Sequence, residues 1–168
     1  MKQLILVRHA KSSWKDPALT DLMRPLKKRG ERDAREMAQR LAALRLGVEK
    51  VLLSPARRVV QTADILTEEG AFAEGISEIV PDLYTFSYED LALFLKQLDD
   101  AITSVALVGH NPAITDLLNF LALEEITNVP TCGIAVLDVD TEKWSKLRAG
   151  GAELRHYDYP KNEPDMDI

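Results

Sequence analysis

Short runs of branched apolar residues alternate along this chain with longer stretches in which apolar and charged positions mix. Residues 3–7, QLILV, and residues 104–108, SVALV, are apolar without alternation. That pattern suits strands covered on both faces. Residues 51–53 are a further buried strand, and residues 76–80 and 133–139 two more. Between them the period changes. Over residues 26–46 the apolar positions Ala34, Met37, Ala38, Leu41, Ala42 and Leu44 recur at helical spacing, with Gly47 as a stop. Ser54-Pro55 opens a second helix that reaches about residue 69. Residues 88–98 place Leu91, Leu95 and Leu98 on one side of a third, and residues 113–122 form a fourth. Residues 10–25, with Trp14, Pro17 and Pro25, are irregular. Residues 143–148 are expected to pair with 133–139 through a turn near Asp140-Thr141. Strands alternating with helices predict a three-layer α/β/α sandwich around a mostly parallel sheet. Residues 1–159 are read as a single domain and 160–168 as a polar, acidic tail.

Composition narrows the class. The 168 residues are 46% hydrophobic, enough for one domain with a packed core. The formal net charge is −6, from 21 basic and 27 acidic residues, which argues against non-specific nucleic-acid binding. Cys132 is the single cysteine, so neither an internal disulfide nor a CxxC metal cluster is available. It reads as a small buried hydrophobe. No apolar run is long enough to span a membrane, and the N-terminus lacks the long apolar region of a signal peptide. A cytoplasmic protein without a membrane partner is expected.

The candidate chemistry sits where strands end. Arg8-His9 and Gly109-His110 each follow a predicted strand, and parallel sheets build their sites at the carboxyl ends of strands. A neutral His9 imidazole can attack phosphorus and carry a phosphoryl group transiently. The plainer reading is a histidine that only terminates a strand. Arg8 offers a fork of donors that fits phosphoryl oxygens, or is a surface charge. Arg57 and Arg58 lie near a helix N-terminus, which favours anions, or form a basic helix face. His110 can donate to a phosphoryl oxygen, and Gly109 before it would allow a tight turn. Asn111 and Pro112 open the next helix. Two histidines also begin a metal site, but zinc takes three or four protein ligands. His156 is the one further histidine, and no carboxylate stands at metal spacing. No GxxxxGK[ST] or GxSxG is present. No metal and no organic cofactor is expected.

Three segments carry a resemblance. LILVRHA at 4–10, SPARRVVQTA at 54–63 and VGHNP at 108–112 resemble the histidine phosphatase superfamily, also called phosphoglycerate mutase-like. RHAKSSWKD with MRPLKKRG at 23–30 looks like its small branch, which includes the SixA-type phosphohistidine phosphatases. The resemblance runs from about residue 3 to residue 150. It implies a phosphoglycerate mutase-like fold, with His9 as nucleophile and Arg8, Arg58 and His110 around the phosphoryl group. Ala10 stands where the family motif usually has glycine. Ser12 and Ser13 match downstream polar positions, and Arg57 and Asn111 are further candidate substrate contacts.

Many phosphomonoesterases of this superfamily carry a glutamate acid in a longer central insertion. Here that segment is short. Glu78, Asp82 and Glu89 fall within it, with Glu78 and Asp82 as candidate general acids, but none matches a motif. An alkoxide leaves poorly without an acid, whereas the imidazole of phosphohistidine needs a dedicated acid less. The resemblance and the short insertion imply a phosphatase acting on phosphohistidine in a protein or peptide. The alternatives are a general phosphomonoesterase on small phosphate esters and a non-catalytic protein that binds a phosphorylated ligand.

Overall fold

In a computed structural model, which describes residues 1–160, six strands form one sheet in the order β3-β2-β4-β1-β5-β6. The strands are β1 (Lys2–Arg8), β2 (Lys50–Leu53), β3 (Ser77–Ile79), β4 (Ser104–Gly109), β5 (Ile134–Val139) and β6 (Ala152–Asp158). Strands β3, β2, β4 and β1 run parallel, and β5 and β6 add an antiparallel edge. The helices are α1 (Lys28–Ala43), α2 (Arg57–Glu68), α3 (Tyr88–Leu95) and α4 (Ala113–Ala122).

The continuous apolar strands are explained by burial on both faces. Successive side chains point to opposite sides of a sheet. In β1, Leu4 and Leu6 join the core beneath α3 and α4, while Ile5 and Val7 join the core beneath α1 and α2. In β4, Val105 and Leu107 face the first core, and Ala106 and Val108 the second. All eight side chains are fully buried. Each large aliphatic one contributes about 1.5–3 kcal/mol relative to exposure, so these two central strands anchor whatever sits at their ends.

Several boundaries differ from the sequence expectation. Helix α1 ends at Ala43 rather than near residue 46, because Arg45 takes a left-handed backbone at φ 50° before Gly47 is reached. Helix α2 begins at Arg57, with Ala56 as its cap. Strand β3 is reduced to three exposed residues on the sheet edge. Residues 143–148 do not pair with β5. Trp144–Lys146 is a short 3-10 helix that buries Trp144, and the antiparallel partner of β5 is β6. The indole of Trp144 outweighs a strand reading because its ring is fully buried and its Nε1 donates to the Ile102 carbonyl at 2.8 Å. Pro160, assigned to the tail, is buried. The remainder of the tail, 161–168, lies outside the described residues.

The start of α1 is held against the loop after β1. Lys27 N–H donates to the Lys11 carbonyl at 3.0 Å, and Ser12 bridges Leu26. Gly30 faces that same loop: a Cβ there would lie 2.1 Å from the Lys11 carbonyl oxygen. Both partners are backbone, so neither can yield by a rotamer change. Gly30→Ala is expected to destabilise the protein by about 2 kcal/mol, in the range of an overpacked core site. A denaturant titration checks this, and an unchanged midpoint would show that the loop and α1 are not locked together.

Candidate active site

Strand register brings the two distant histidines together. In the parallel β1–β4 pair, Arg8 stands opposite Gly109. Each strand ends there, so His9 and His110 leave the sheet side by side. Their ring centroids are 5.4 Å apart, edge to face. His9 N–H donates to the Gly109 carbonyl at 3.1 Å, and the His9 carbonyl accepts from Cys132 N–H at 3.0 Å. Strand β2 ends one place over, where Ser54 N–H donates to the Val108 carbonyl. The chain turns at Ser54–Ala56 into α2 and delivers Arg58 to the same spot.

These groups line a cavity of about 370 Å³ with Ser12, Trp14, Asp21, Arg24, Phe86 and Asn111 among its other walls. His9, Arg58 and His110 are buried around it. The His9 Nδ1 lies 2.7 Å from the Ala10 carbonyl. A carbonyl only accepts, so Nδ1 carries the proton and Nε2 keeps its lone pair. His110 Nε2 lies 2.7 Å from Ser54 Oγ, and its Nδ1 lies 3.3 Å from Arg58 Nη2. Arginine only donates, so Nδ1 accepts and Nε2–H donates to the serine.

Burial drives both imidazoles toward neutrality. His9 is pushed down to about 3, first by desolvation and then by the nearby His110, Arg58 and Arg8 charges, against the Ala10 hydrogen bond. Burial and the Arg58 charge push His110 down to about 4. The arginines are held by their outer nitrogens. Arg8 Nη1 donates to the Val129 carbonyl at 2.9 Å. Arg58 Nη1 donates to the Asp21 carbonyl at 2.7 Å, and Nη2 to the Asp21 carboxylate at 3.0 Å. The Nε–H groups of Arg8 and Arg58 are both buried without a partner.

The structure brings Arg8, His9, Arg58 and His110 together, and treats the remaining candidates differently. Arg57 is exposed on α2 and does not line the cavity, because the helix turns adjacent residues about 100° apart. Ser12 does line it, and its Oγ accepts from Arg24 Nη1 at 2.8 Å. Ser13 lines a neighbouring cavity instead. Asn111 lines the pocket, yet its amide donates to Asn128 and the Val129 carbonyl, and its oxygen accepts from Thr115. Those bonds tie the loop to the start of α4.

Neither acid candidate reaches the site. Glu78 sits on edge strand β3, paired with Lys50 at 3.0 Å, and Asp82 lines a separate depression with Asp90. Gly109 is not required for a tight turn: its φ is not positive, and a Cβ would make only ordinary contact with Leu107 at 3.4 Å. His156 lies on β6 opposite Val136. Among the described residues no group of three or more His, Cys, Asp or Glu is placed to hold a metal. Cys132 is fully buried, which pushes its thiol up to about 12.

Sequence reading passed over Asp21, Arg24, Tyr84 and Phe86. Asp21 joins Arg24 and Tyr84 to Arg58. Its carboxylate accepts from Arg58, from Arg24 at 3.1 Å, and from the Tyr84 hydroxyl at 2.6 Å. Burial pushes this carboxyl up, but the Tyr84 and Arg58 hydrogen bonds, the Arg58 charge and Arg24 together hold it at about 2. The Tyr84 and Phe86 rings stand 5.5 and 5.6 Å from His110. The available signal was an i,i+3 Asp-Arg pair in a charged loop directly after the first motif.

Comparison with known proteins bears on the fold and the family. Residues 4–82 match the model of the histidine phosphatase superfamily (branch 1). An uncharacterized protein of Mycobacterium tuberculosis is 32% identical over 165 residues, covering 92% of this chain and 100% of that protein. The crystal structure of the putative phosphohistidine phosphatase SixA from Agrobacterium tumefaciens superposes with a TM-score of 0.79 at 28% identity, covering 95% of this chain and 98% of that one. The protein histidine phosphatase SixA complexed with tungstate shares the fold, with a TM-score of 0.78 at 24% identity over 94% and 96% of the two chains. On these matches and its motifs, the chain belongs to the histidine phosphatase superfamily, in the SixA-type branch.

Proposed function

We propose that this phosphatase removes the phosphoryl group from phosphohistidine in a protein or peptide, through a phosphohistidine intermediate on His9. The observation that carries the reading is the pair of buried, unpartnered guanidinium N–H groups on Arg8 and Arg58, in a pocket that also holds a neutral imidazole. Buried donors without acceptors cost free energy, and an oxyanion between them removes that cost. The tungstate held by a protein of the same fold is a tetrahedral oxyanion of the same kind.

The steps follow from the tautomers. Arg8 and Arg58 hold the phosphoryl oxygens. The free Nε2 lone pair of His9 forms a bond to phosphorus while the bond to the substrate's imidazole nitrogen breaks, and that nitrogen takes a proton from solvent. Water then bonds to phosphorus, the His9–phosphorus bond breaks, and inorganic phosphate leaves. The arriving anion raises the proton affinity of His110 Nδ1, which lets that ring change from acceptor to donor. The two guanidinium groups and two imidazoles supply the charge and donors that the transfer requires, without a metal or organic cofactor.

The character of the leaving group rests on Asp21. It lines the cavity, and at about 2 it is ionised at neutral pH and holds no proton to give. Glu78 and Asp82 stand elsewhere. A pocket with an ionised carboxylate and no neutral one suits a P–N bond, whose nitrogen solvent can protonate, better than an ester oxygen.

His9→Ala is expected to lose turnover by about 10⁴-fold on every substrate. Arg58→Ala should lose about 10²- to 10³-fold, with Arg58→Lys failing to restore the fork. Phosphate release from a phosphohistidine peptide, free phosphohistidine and common phosphoesters checks both. Higher kcat/KM on esters would overturn the substrate assignment.

The pH dependence follows from the two depressed imidazoles. His9 folds with its ring near 3 against an ordinary value of 6.5, so the folded ring binds fewer protons than the unfolded chain. The same sign holds for His110, near 4. Their contribution to stability is therefore complete above about pH 6.5 and is lost as pH falls toward the folded values. NMR of the free enzyme should show no titration of the His9 ring between about pH 7 and 5. A midpoint near its ordinary value would contradict the buried neutral nucleophile.

A further inference from the structure

Next to the active-site pocket lies a larger cavity of about 720 Å³, to which Lys11, Lys15, Lys27 and Lys28 contribute along with Trp14. Among the described residues no carboxylate lines it. Lys15 and Lys28 are exposed, and they add ammonium groups to this cavity in a chain whose net charge is −6. Helix stability does not account for Lys28. Lys27 caps α1 and Lys28 is its first residue, where the helix already carries partial positive charge and acidic side chains are favoured. The two cavities adjoin: Lys11, Ser12 and Trp14 line both. A polypeptide whose phosphoryl group sits at His9 has the lysine-lined cavity next to it for its flanking residues.

Trp14 marks the boundary. Its side chain is 75% exposed, and the guanidinium of buried Arg24 sits 3.5 Å from its ring centroid. An exposed indole stacked on a guanidinium that is itself bonded to Ser12 and Asp21 is a preorganised apolar platform. The charges around it are lysines, single points on flexible stems rather than arginine forks. Such charges match carboxylates at variable spacing along an extended chain. Forks and backbone cradles, which fit the fixed geometry of a compact polyphosphate, do not line this cavity among the described residues.

We propose that this groove binds an acidic stretch of polypeptide flanking the phosphorylated residue of the substrate protein. The inference rests on the phosphohistidine phosphatase reading and names the sequence context that such a substrate carries. Electrostatic attraction of this kind acts mainly on encounter and weakens with salt.

The test uses the full-length protein and three histidine-phosphorylated peptides that differ only in flanking residues, glutamate-rich, serine-rich or lysine-rich. The expected result is a kcat/KM about tenfold higher on the glutamate-rich peptide than on the serine-rich one at low salt, shrinking as sodium chloride is raised. Lys15→Glu combined with Lys28→Glu, both at exposed positions, should abolish that preference while leaving turnover of free phosphohistidine unchanged. Equal rates on all three peptides would overturn the groove while leaving the phosphatase reading intact. No phosphate release from any of them would overturn the phosphatase reading. In that case the anisotropy of the labelled, unphosphorylated peptides bound to His9→Ala decides the groove separately: tighter binding of the glutamate-rich peptide supports it, and equal binding sinks it. Inorganic tripolyphosphate is the control for a small polyanion. Strong competition by tripolyphosphate, with no gain from peptide glutamates, would reassign the groove and defeat the proposal.

Discussion

The in-register parallel pairing of β1 with β4 is the constraint from which the site follows. Arg8 opposite Gly109 fixes where both strands stop, and the next residue on each is a histidine. Their 5.4 Å separation is therefore a property of the sheet rather than of flexible loops. What holds the register is the apolar content of the strands, since a one-residue slip would exchange the side chains assigned to the two cores. Leu4, Ile5, Leu6 and Val7 are buried on alternate faces, and so are their neighbours in β4. A site mounted on such strands is held to the tolerance that in-line attack on phosphorus requires.

The electrostatics of the pocket depend on keeping unlike needs apart. On the proposed mechanism the arginines must stay charged to hold an oxyanion, while His9 must stay neutral to attack. Burial does the second by lowering the imidazole, and the arginine charges push it further the same way. Asp21 serves the first. It occupies the outer nitrogens of Arg58 with a carbonyl and a carboxylate, fixing the fork while Nε–H stays unpartnered. A carboxylate beside a phosphate site also opposes anion binding. Since it is bound to Arg58, Arg24 and Tyr84 together, its charge is neutralised locally, and the net field in the pocket remains positive.

The layered fold and the four central residues were legible because each leaves a local mark. Buried strands leave apolar runs, and a catalytic residue at a strand end leaves a polar residue abutting such a run. Arg58 was separable from Arg57 only by the family spacing, since both are arginines one helical step apart. The structure explains the difference by facing: Arg57 is exposed and Arg58 almost completely buried. What escaped the sequence were contacts between segments with no shared period. Asp21 meets Arg58 and Tyr84 across 37 and 63 residues, and nothing in the local pattern of residues 10–25 announces that. Residues 143–148 failed for the opposite reason. Trp144 and Leu147 supply an apolar signal that a buried 3-10 turn and a strand share, and only the tertiary position of the indole decides between them.

The same distinction separates the leaving group from the phosphoryl group. On the proposed reading, recognition of the phosphoryl group is built into strand ends and a helix start, where geometry is rigid and the residue types are recognisable in isolation. Recognition of what the phosphoryl group is attached to falls to the loop at residues 10–27 and to Tyr84 and Phe86, outside the regular strands and helices. Such segments vary more readily than the strands beneath them. A sheet that fixes the chemistry and loops that choose the molecule allow one scaffold to keep a single reaction while its substrate changes. In this chain those loops present an ionised carboxylate, a stacked indole and lysines. On the proposed reading, the carboxylate among them has no proton to give an alkoxide, whereas a leaving nitrogen can take one from solvent.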